Sequence, residues 1–208
     1  MHEETGSPPK PPGTTSAADR AIASDFLGLL GRDEAHTFQT FGEAAESGRR
    51  PELACVLHGS FEQHQKRLEA LNRAGAGVFV MVSAGDGVVK PGAATCRTMA
   101  NVVRVRAVFL DLDGAPIRPV LTSPLPPDWV VQSSPGRWHA YWKVLNCPLG
   151  DSPAAQVALA RKFGGDQSVK DLPRVMRLPG FFHLKAQPYL SQLYLPETYP
   201  ALLGETRA

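Results

Sequence analysis

The sequence predicts a mixed α+β domain, and three observations carry that reading. Apolar residues recur at helical spacing in three stretches, apolar or alternating runs of strand length lie between them, and clusters of Gly, Pro, Ser and Asp separate the two kinds of segment. A chain of 208 residues suits one domain with a short appendage, since single domains run to roughly 100–200 residues. Its 43% of hydrophobic residues is ordinary for a globular protein and permits a sizeable core.

Taken in order, residues 1–20 hold Pro8, Pro9, Pro11 and Pro12 among Gly, Ser and Thr, with almost nothing large to bury. They predict a disordered leader before a domain spanning 21–208. From Ala18 to Leu30, Ile22, Phe26, Leu29 and Leu30 fall at helical spacing, and Gly31 stops the helix. A second helix runs from Ser60, its N-cap, to Ala74, with Phe61, Leu68 and Leu71 apolar and Gly75 and Gly77 at its end. Val78 to Val82 is a buried strand, and a Gly-rich loop follows to Thr95.

Val102 to Leu112 then reads as one strand, alternating at first and wholly apolar at Val108 to Leu110, which delivers Asp111 at its carboxyl end. Five prolines, Pro116, Pro119, Pro124, Pro126 and Pro127, argue against a helix between Gly114 and Asp128. Trp129 to Gln132 and His139 to Val144 form two strands joined through Ser133 to Arg137. Pro153 to Phe163 is a third helix, and a last strand lies around Tyr189 to Leu195.

Composition narrows the function classes. A net charge of +2, from 22 basic and 20 acidic residues, gives no whole-chain sign of nucleic-acid binding, so any basic surface must be local. No run of about 18 apolar residues and no apolar amino-terminal segment is present, which predicts a cytoplasmic protein without a membrane partner. Cys55, Cys96 and Cys147 are odd in number and far apart, so neither a disulfide framework nor a zinc ribbon is expected. Cys55 with His58 and His64 lacks a fourth metal ligand.

Three features can carry chemistry. Asp111 and Asp113 stand at i and i+2 where an apolar strand ends, so alternation aims both at one face. Crowded carboxylates repel unless a cation intervenes, and oxygen ligands suit Mg²⁺ or Mn²⁺; the plain alternative is an acidic turn in solvent. In Gln132-Ser-Ser-Pro-Gly-Arg-Trp-His139, small residues leave backbone amides approachable, and Ser134, Gly136 and His139 can hold phosphate. The plain alternative is a tight hairpin. Finally, the stretch from Gly164 to Lys185 carries Asp166, Asp171, Arg174, Arg177 and Lys185. The two arginines share a face if the stretch forms a helical turn, and a triphosphate needs such a cluster.

In this order, Asp-Leu-Asp, then Ser-Pro-Gly-Arg-Trp-His with Tyr-Trp, then Gly-Gly-Asp with Arg-Val-Met-Arg-Leu-Pro-Gly and Lys, the sequence resembles the RepB-like branch of the archaeo-eukaryotic primase superfamily over about residues 60–190. The resemblance implies an RRM-like antiparallel sheet carrying the acidic strand, with an amino-terminal α/β portion. It implies metal binding by Asp111, Asp113 and a later Asp, and nucleotide contact by His139. Asp166 is the preferred third carboxylate, because Val169, Arg174 and Arg177-Leu178 follow it in the family's spacing. Asp171 is the fallback for that carboxylate, its favoured reading being a helix cap or an Arg partner.

The implied activity is two-metal nucleotidyl transfer from nucleoside triphosphates on a single-stranded DNA template, as in plasmid, phage or mobile-element replication. Ser134, Gly136 and His139 would cradle phosphates, with Arg174, Arg177 and Lys185 neutralising the rest. Arg97 is a lesser candidate, Trp138 the expected stacking platform for template, and a helicase or replication initiator the expected separate partner. Two other readings stand beside it. Val-Phe-Leu-Asp-Leu-Asp-Gly also resembles the opening motif of haloacid-dehalogenase-type phosphatases, with Asp111 as nucleophile. That family crosses over through a helix after the acidic strand, where this chain has prolines. The other is a catalytically silent nucleic-acid-binding module on the same fold.

Overall fold

The computed structural model describes residues 18–32, 34–43 and 50–204. The predicted leader lies outside the described residues as far as residue 17; the Asp19 carboxylate already accepts from the amides of Ala21 (3.0 Å) and Ile22 (3.3 Å), capping helix α1 (Arg20–Gly31). The buried stripe is Ala23, Phe26, Leu27 and Leu30; of the residues expected to form it, Phe26 and Leu30 are buried, whereas Ile22 and Leu29 are half-buried at its margins.

Strands β1 (His36–Gly42) and β2 (Cys55–Gly59) follow, and neither is anticipated from sequence. Five consecutive residues of β1 are buried, so it lacks the alternation that marks a half-buried strand. Helix α2 (Phe61–Arg73) starts at the predicted cap as a full capping box, Gln63 N–H donating to Ser60 Oγ and Ser60 N–H to Gln63 Oε1. Strand β3 (Ala76–Met81) and the short strand β4 (Ala84–Gly85) come next.

The single strand expected over 102–112 is two, β5 (Val102–Arg104) and β6 (Ala107–Asp111). Arg106 between them turns inward, and its buried guanidinium donates to Glu34 Oε2 and to the carbonyls of Ser83 and Ala35. The proline-rich connection also differs from expectation, since it contains one helical turn, α3 (Arg118–Leu121), with Pro119 in its opening turn. A proline there removes no intrahelical donor. The remainder is β7 (Trp129–Ser134), β8 (Arg137–Lys143), α4 (Ser152–Phe163), β9 (Val175–Arg177), β10 (Phe182–His183), β11 (Tyr189–Leu190), β12 (Gln192–Tyr194) and α5 (Tyr199–Leu202).

Two four-stranded antiparallel sheets, ordered β2-β1-β3-β9 and β12-β7-β8-β6, form the frame. Phe109, Trp129 and Tyr141 of the second sheet meet Phe38, Val78 and Val80 of the first, with α1 closing the same core. The opposite face of the second sheet, Val108, Leu110, Val130, Ala140 and Trp142, packs under α3, α4 and α5. Period-two alternation therefore carries Asp111 and His139 onto the face between the sheets. No helix of the described residues is long and apolar enough to cross a membrane.

Candidate active site

Asp111 ends β6 directly opposite His139 of β8, with His139 Nε2 4.0 Å from Asp111 Oδ1. Asp113 reaches the same place by another route than the one expected. Strand alternation stops at Asp111, and Asp113 adopts a left-handed φ of +37° before Gly114 at +100°. Its amide donates to Asp111 Oδ1 (3.2 Å) and its carboxylate pairs with Arg137. The two acids thus converge through a turn. Together with His139, Arg137, Arg177 and Phe79 they line a cavity of about 180 Å³ at the mouth between the sheets.

Burial governs the electrostatics here. It pushes the His139 imidazole down to about 4, with Arg177 acting in the same direction and Asp111 against it. His139 is therefore neutral at pH 7, and the charge-assisted phosphate bond that a protonated His139 would make is absent from the resting site. Burial also holds the Tyr141 hydroxyl protonated, with Asp111 adding to the effect. That hydroxyl lies 3.4 Å from His139 Nδ1, and donation by the phenol leaves the imidazole proton on Nε2, the nitrogen facing Asp111.

Asp166 is brought beside Asp111 by its backbone, its N–H donating to the Asp111 carbonyl at 2.8 Å. Gly165 makes this approach possible, because a Cβ there would stand 2.6 Å from the Asp111 carbonyl oxygen. The Asp166 carboxylate itself accepts from the Ser168 amide (2.8 Å) and hydroxyl (2.9 Å), which hold it below the usual carboxylate range. Among the described residues no three His, Cys, Asp or Glu side chains stand close enough together to hold a metal ion as they are placed. The fallback, Asp171, pairs with Arg174.

The basic cluster is corrected in its geometry. Residues 175–177 are a strand, so Arg174 and Arg177 do not share a helical face. Arg174 Nε donates to Asp171 Oδ1 at 2.7 Å and its Nη2 to the Ser168 carbonyl at 3.2 Å. Arg177 lines the cavity; it donates to the buried Glu43 at 2.5 and 3.3 Å and stands 4.7 Å over the Phe79 ring.

Ser134 pairs with Arg137, leaving Pro135-Gly136 as a two-residue loop with Gly136 at φ +73°. Ser134, Arg137, His183 and Lys185 border a second cavity of about 510 Å³ that shares the last three with the first. Arg97 is engaged elsewhere, with the Gln39 side chain and the Pro173 carbonyl. Trp138 is not a template platform: it is 9% exposed on the other face of the sheet and packs on Tyr194.

Sequence reasoning missed Glu43, Phe79, Tyr141 and His183. Tyr141 and His183 lie inside motifs read as functional, and their position could have been taken from alternation and from proximity to Lys185. Glu43 and Phe79 carry no local signal. His183 is lowered by burial and by Arg177, and its Nε2 is buried without a hydrogen-bond partner.

Residues 97–196 match the family described as the RepB DNA-primase N-terminal domain. No curated protein matches the chain. Among solved structures, the AEP domain of the cyanophage S-2L primase-polymerase aligns with a TM-score of 0.62 and 20% identity, covering 90% of this chain and 100% of that one. The catalytic domain of primase RepB′, solved in complex with initiator DNA, aligns with a TM-score of 0.55 and 19% identity over 89% of this chain and 91% of that one. The all-antiparallel pairing of both sheets departs from the phosphatase alternative, whose helical crossover joins parallel strands. Residues 97–196 thus match the RepB DNA-primase N-terminal domain family, and the chain has the fold of the primase catalytic domains with which it aligns.

Proposed function

We propose that this chain is a primase or primase-polymerase that joins nucleotides on a single-stranded DNA template. The observation that carries this reading is the convergence of Asp111, Asp113 and His139 on one cavity, flanked by Arg177 and Lys185, within the segment that matches the primase family.

The donor set fits a hard divalent cation, Mg²⁺ or Mn²⁺, since Asp111 and Asp113 present carboxylate oxygens to one polar cavity. These two would hold it, and Asp166 would join by exchanging its bonds to Ser168. Bound there, such cations supply charge neutralisation for an attacking 3′-hydroxyl and a leaving pyrophosphate. The protein's own groups do the rest. The Ser134 hydroxyl and the Gly136 amide donate to phosphate oxygens, neutral His139 donates from Nε2, and Lys185 balances the remaining charge, while Arg177, already paired with Glu43, forms the wall beside them. Arg137, paired with Asp113 in this structure, would be available to phosphate with Asp113 holding a cation. Arg174, tied to Asp171, supports the segment that carries Asp166. A separate helicase or initiator supplies unwinding, in plasmid, phage or mobile-element replication.

The test is incubation of the purified protein with labelled nucleoside triphosphates, single-stranded DNA and Mn²⁺ or Mg²⁺. Oligonucleotide synthesis that EDTA abolishes, and that Asp111→Asn lowers at least about a hundredfold, is the expected result. Hydrolysis of a simple phosphate ester without synthesis would establish the phosphatase, and DNA binding without either activity the silent module.

A further inference from the structure

We propose that the groove between α4 and residues 125–128 is a docking site for an acidic segment of a partner protein that inserts an aromatic or branched aliphatic side chain. Val108 and Trp142 form its floor, on the face of the second sheet turned away from Asp111 and His139. Leu159 and Phe163 of α4 wall one side, and Leu125 and Pro126 the other. The groove encloses about 620 Å³, within the range of sites that bury a compact ligand. Leu125 is 73% exposed at its lip, an apolar side chain left in water where a partner would cover it.

Charge decides the occupant. Lys143 and Lys162 rim the groove, and among the described residues no carboxylate pairs with either. The Lys162 ammonium lies 5.1 Å from the centre of the Phe163 ring. The groove's carboxylate, Asp128, accepts from the Lys143 backbone amide at 2.7 Å, and against the two lysines it leaves the lining net positive. An apolar floor with unpaired cations at its rim fits a segment whose anchor is flanked by carboxylates.

Single-stranded nucleic acid fits less well, because it needs exposed ring faces for stacking. Here Trp142 and Phe163 stack on each other, with ring centres 6.5 Å apart and planes 13° from parallel. The Trp142 indole N–H is also spent on the Leu125 carbonyl at 3.1 Å. Since the groove and the candidate active site occupy opposite faces of one sheet, a docked partner leaves the catalytic cavity open.

The test is fluorescence anisotropy with fluorescein-labelled decapeptides rich in Asp and Glu, each bearing one Trp, Phe, Leu or Ile. The same peptides with every carboxylate replaced by its amide serve as controls. Acidic peptides should bind the intact protein, and the amides about tenfold or more weakly. Ala158→Trp, at an exposed position of α4 inside the groove, should remove binding, and Lys162→Glu on the surface should weaken it about tenfold. Both variants should keep the wild-type thermal midpoint and DNA affinity. The proposal is overturned if no peptide of the series binds, if binding survives both substitutions, or if an oligothymidylate displaces the peptides from the groove.

Discussion

Replacing Glu43 by Gln tests how Arg177 is held in the site. The Glu43 and Arg177 side chains are 2% and 5% exposed, and the carboxylate also accepts from the Leu184 amide at 3.0 Å. Gly77 makes room for it, because a Cβ there would stand 2.6 Å from Glu43 Oε1. A glutamine keeps the shape and the bond to Leu184, yet strands a buried guanidinium without a counter-charge. Breaking a buried pair from one side costs about 3–5 kcal/mol; the Phe79 ring lies beneath Arg177 with either residue at 43 and cancels from the difference. For a domain of this size each kcal/mol lowers Tm by about 2–4 °C, so the shift should be about 6–20 °C. Urea and thermal unfolding of Glu43→Gln and of Glu43→Gln/Arg177→Met measure it. The double variant should lose less than the single one, because it removes the stranded charge. A single-variant loss under about 1 kcal/mol, or a double variant no better than the single, would refute the reasoning.

Three further outcomes follow from other parts of the structure. His36 is 3% exposed, and burial, then Arg106, pushes its pKa down to about 4. The unfolded chain, with an ordinary value of about 6.5, then binds more protons below that pH; the contribution of His36 is complete above about pH 6.5 and fades as pH falls to about 4, amounting to about 3 kcal/mol at most. An NMR titration that finds the His36 ring protonating near 6.5 would remove this prediction, and His36→Gln should flatten the acid side of the stability profile. Gly165→Ala should cost about 1–3 kcal/mol through the clash with the Asp111 carbonyl and Leu110, and should lower primer synthesis by moving Asp166; full activity at wild-type stability would contradict the placement. Trp138→Ala should cost about 3–5 kcal/mol, as for a core aromatic, while DNA affinity per folded molecule stays unchanged; selective loss of DNA binding would restore Trp138 as a template contact.

How much was legible varies with the range of the interactions involved. Helices α1, α2 and α4 were readable because their signals are local: apolar residues at helical spacing, the Ser60 cap and terminal glycines. The acidic strand end and the hairpin turn with His139 were readable for the same reason. Strand β1 was not, since burial on both faces erases alternation, and the break at Arg106 was not, because its cause is Glu34, 72 residues away. The helical face imagined for Arg174 and Arg177 failed because three-residue spacing has no fixed meaning until the secondary structure is known.

The sequence by itself determined the ordered set Asp111, Asp113, His139 and Asp166, and the family resemblance that rests on it. These are properties of short segments, and short segments write their chemistry into adjacent letters. Only the tertiary structure decided that Asp113 arrives through a left-handed turn, that Asp166 touches Asp111 by backbone while its carboxylate serves Ser168, that His139 is neutral, and that Arg177 is balanced by Glu43. Each of these depends on burial or on a partner supplied from far along the chain, and both arise only when the two sheets close on each other.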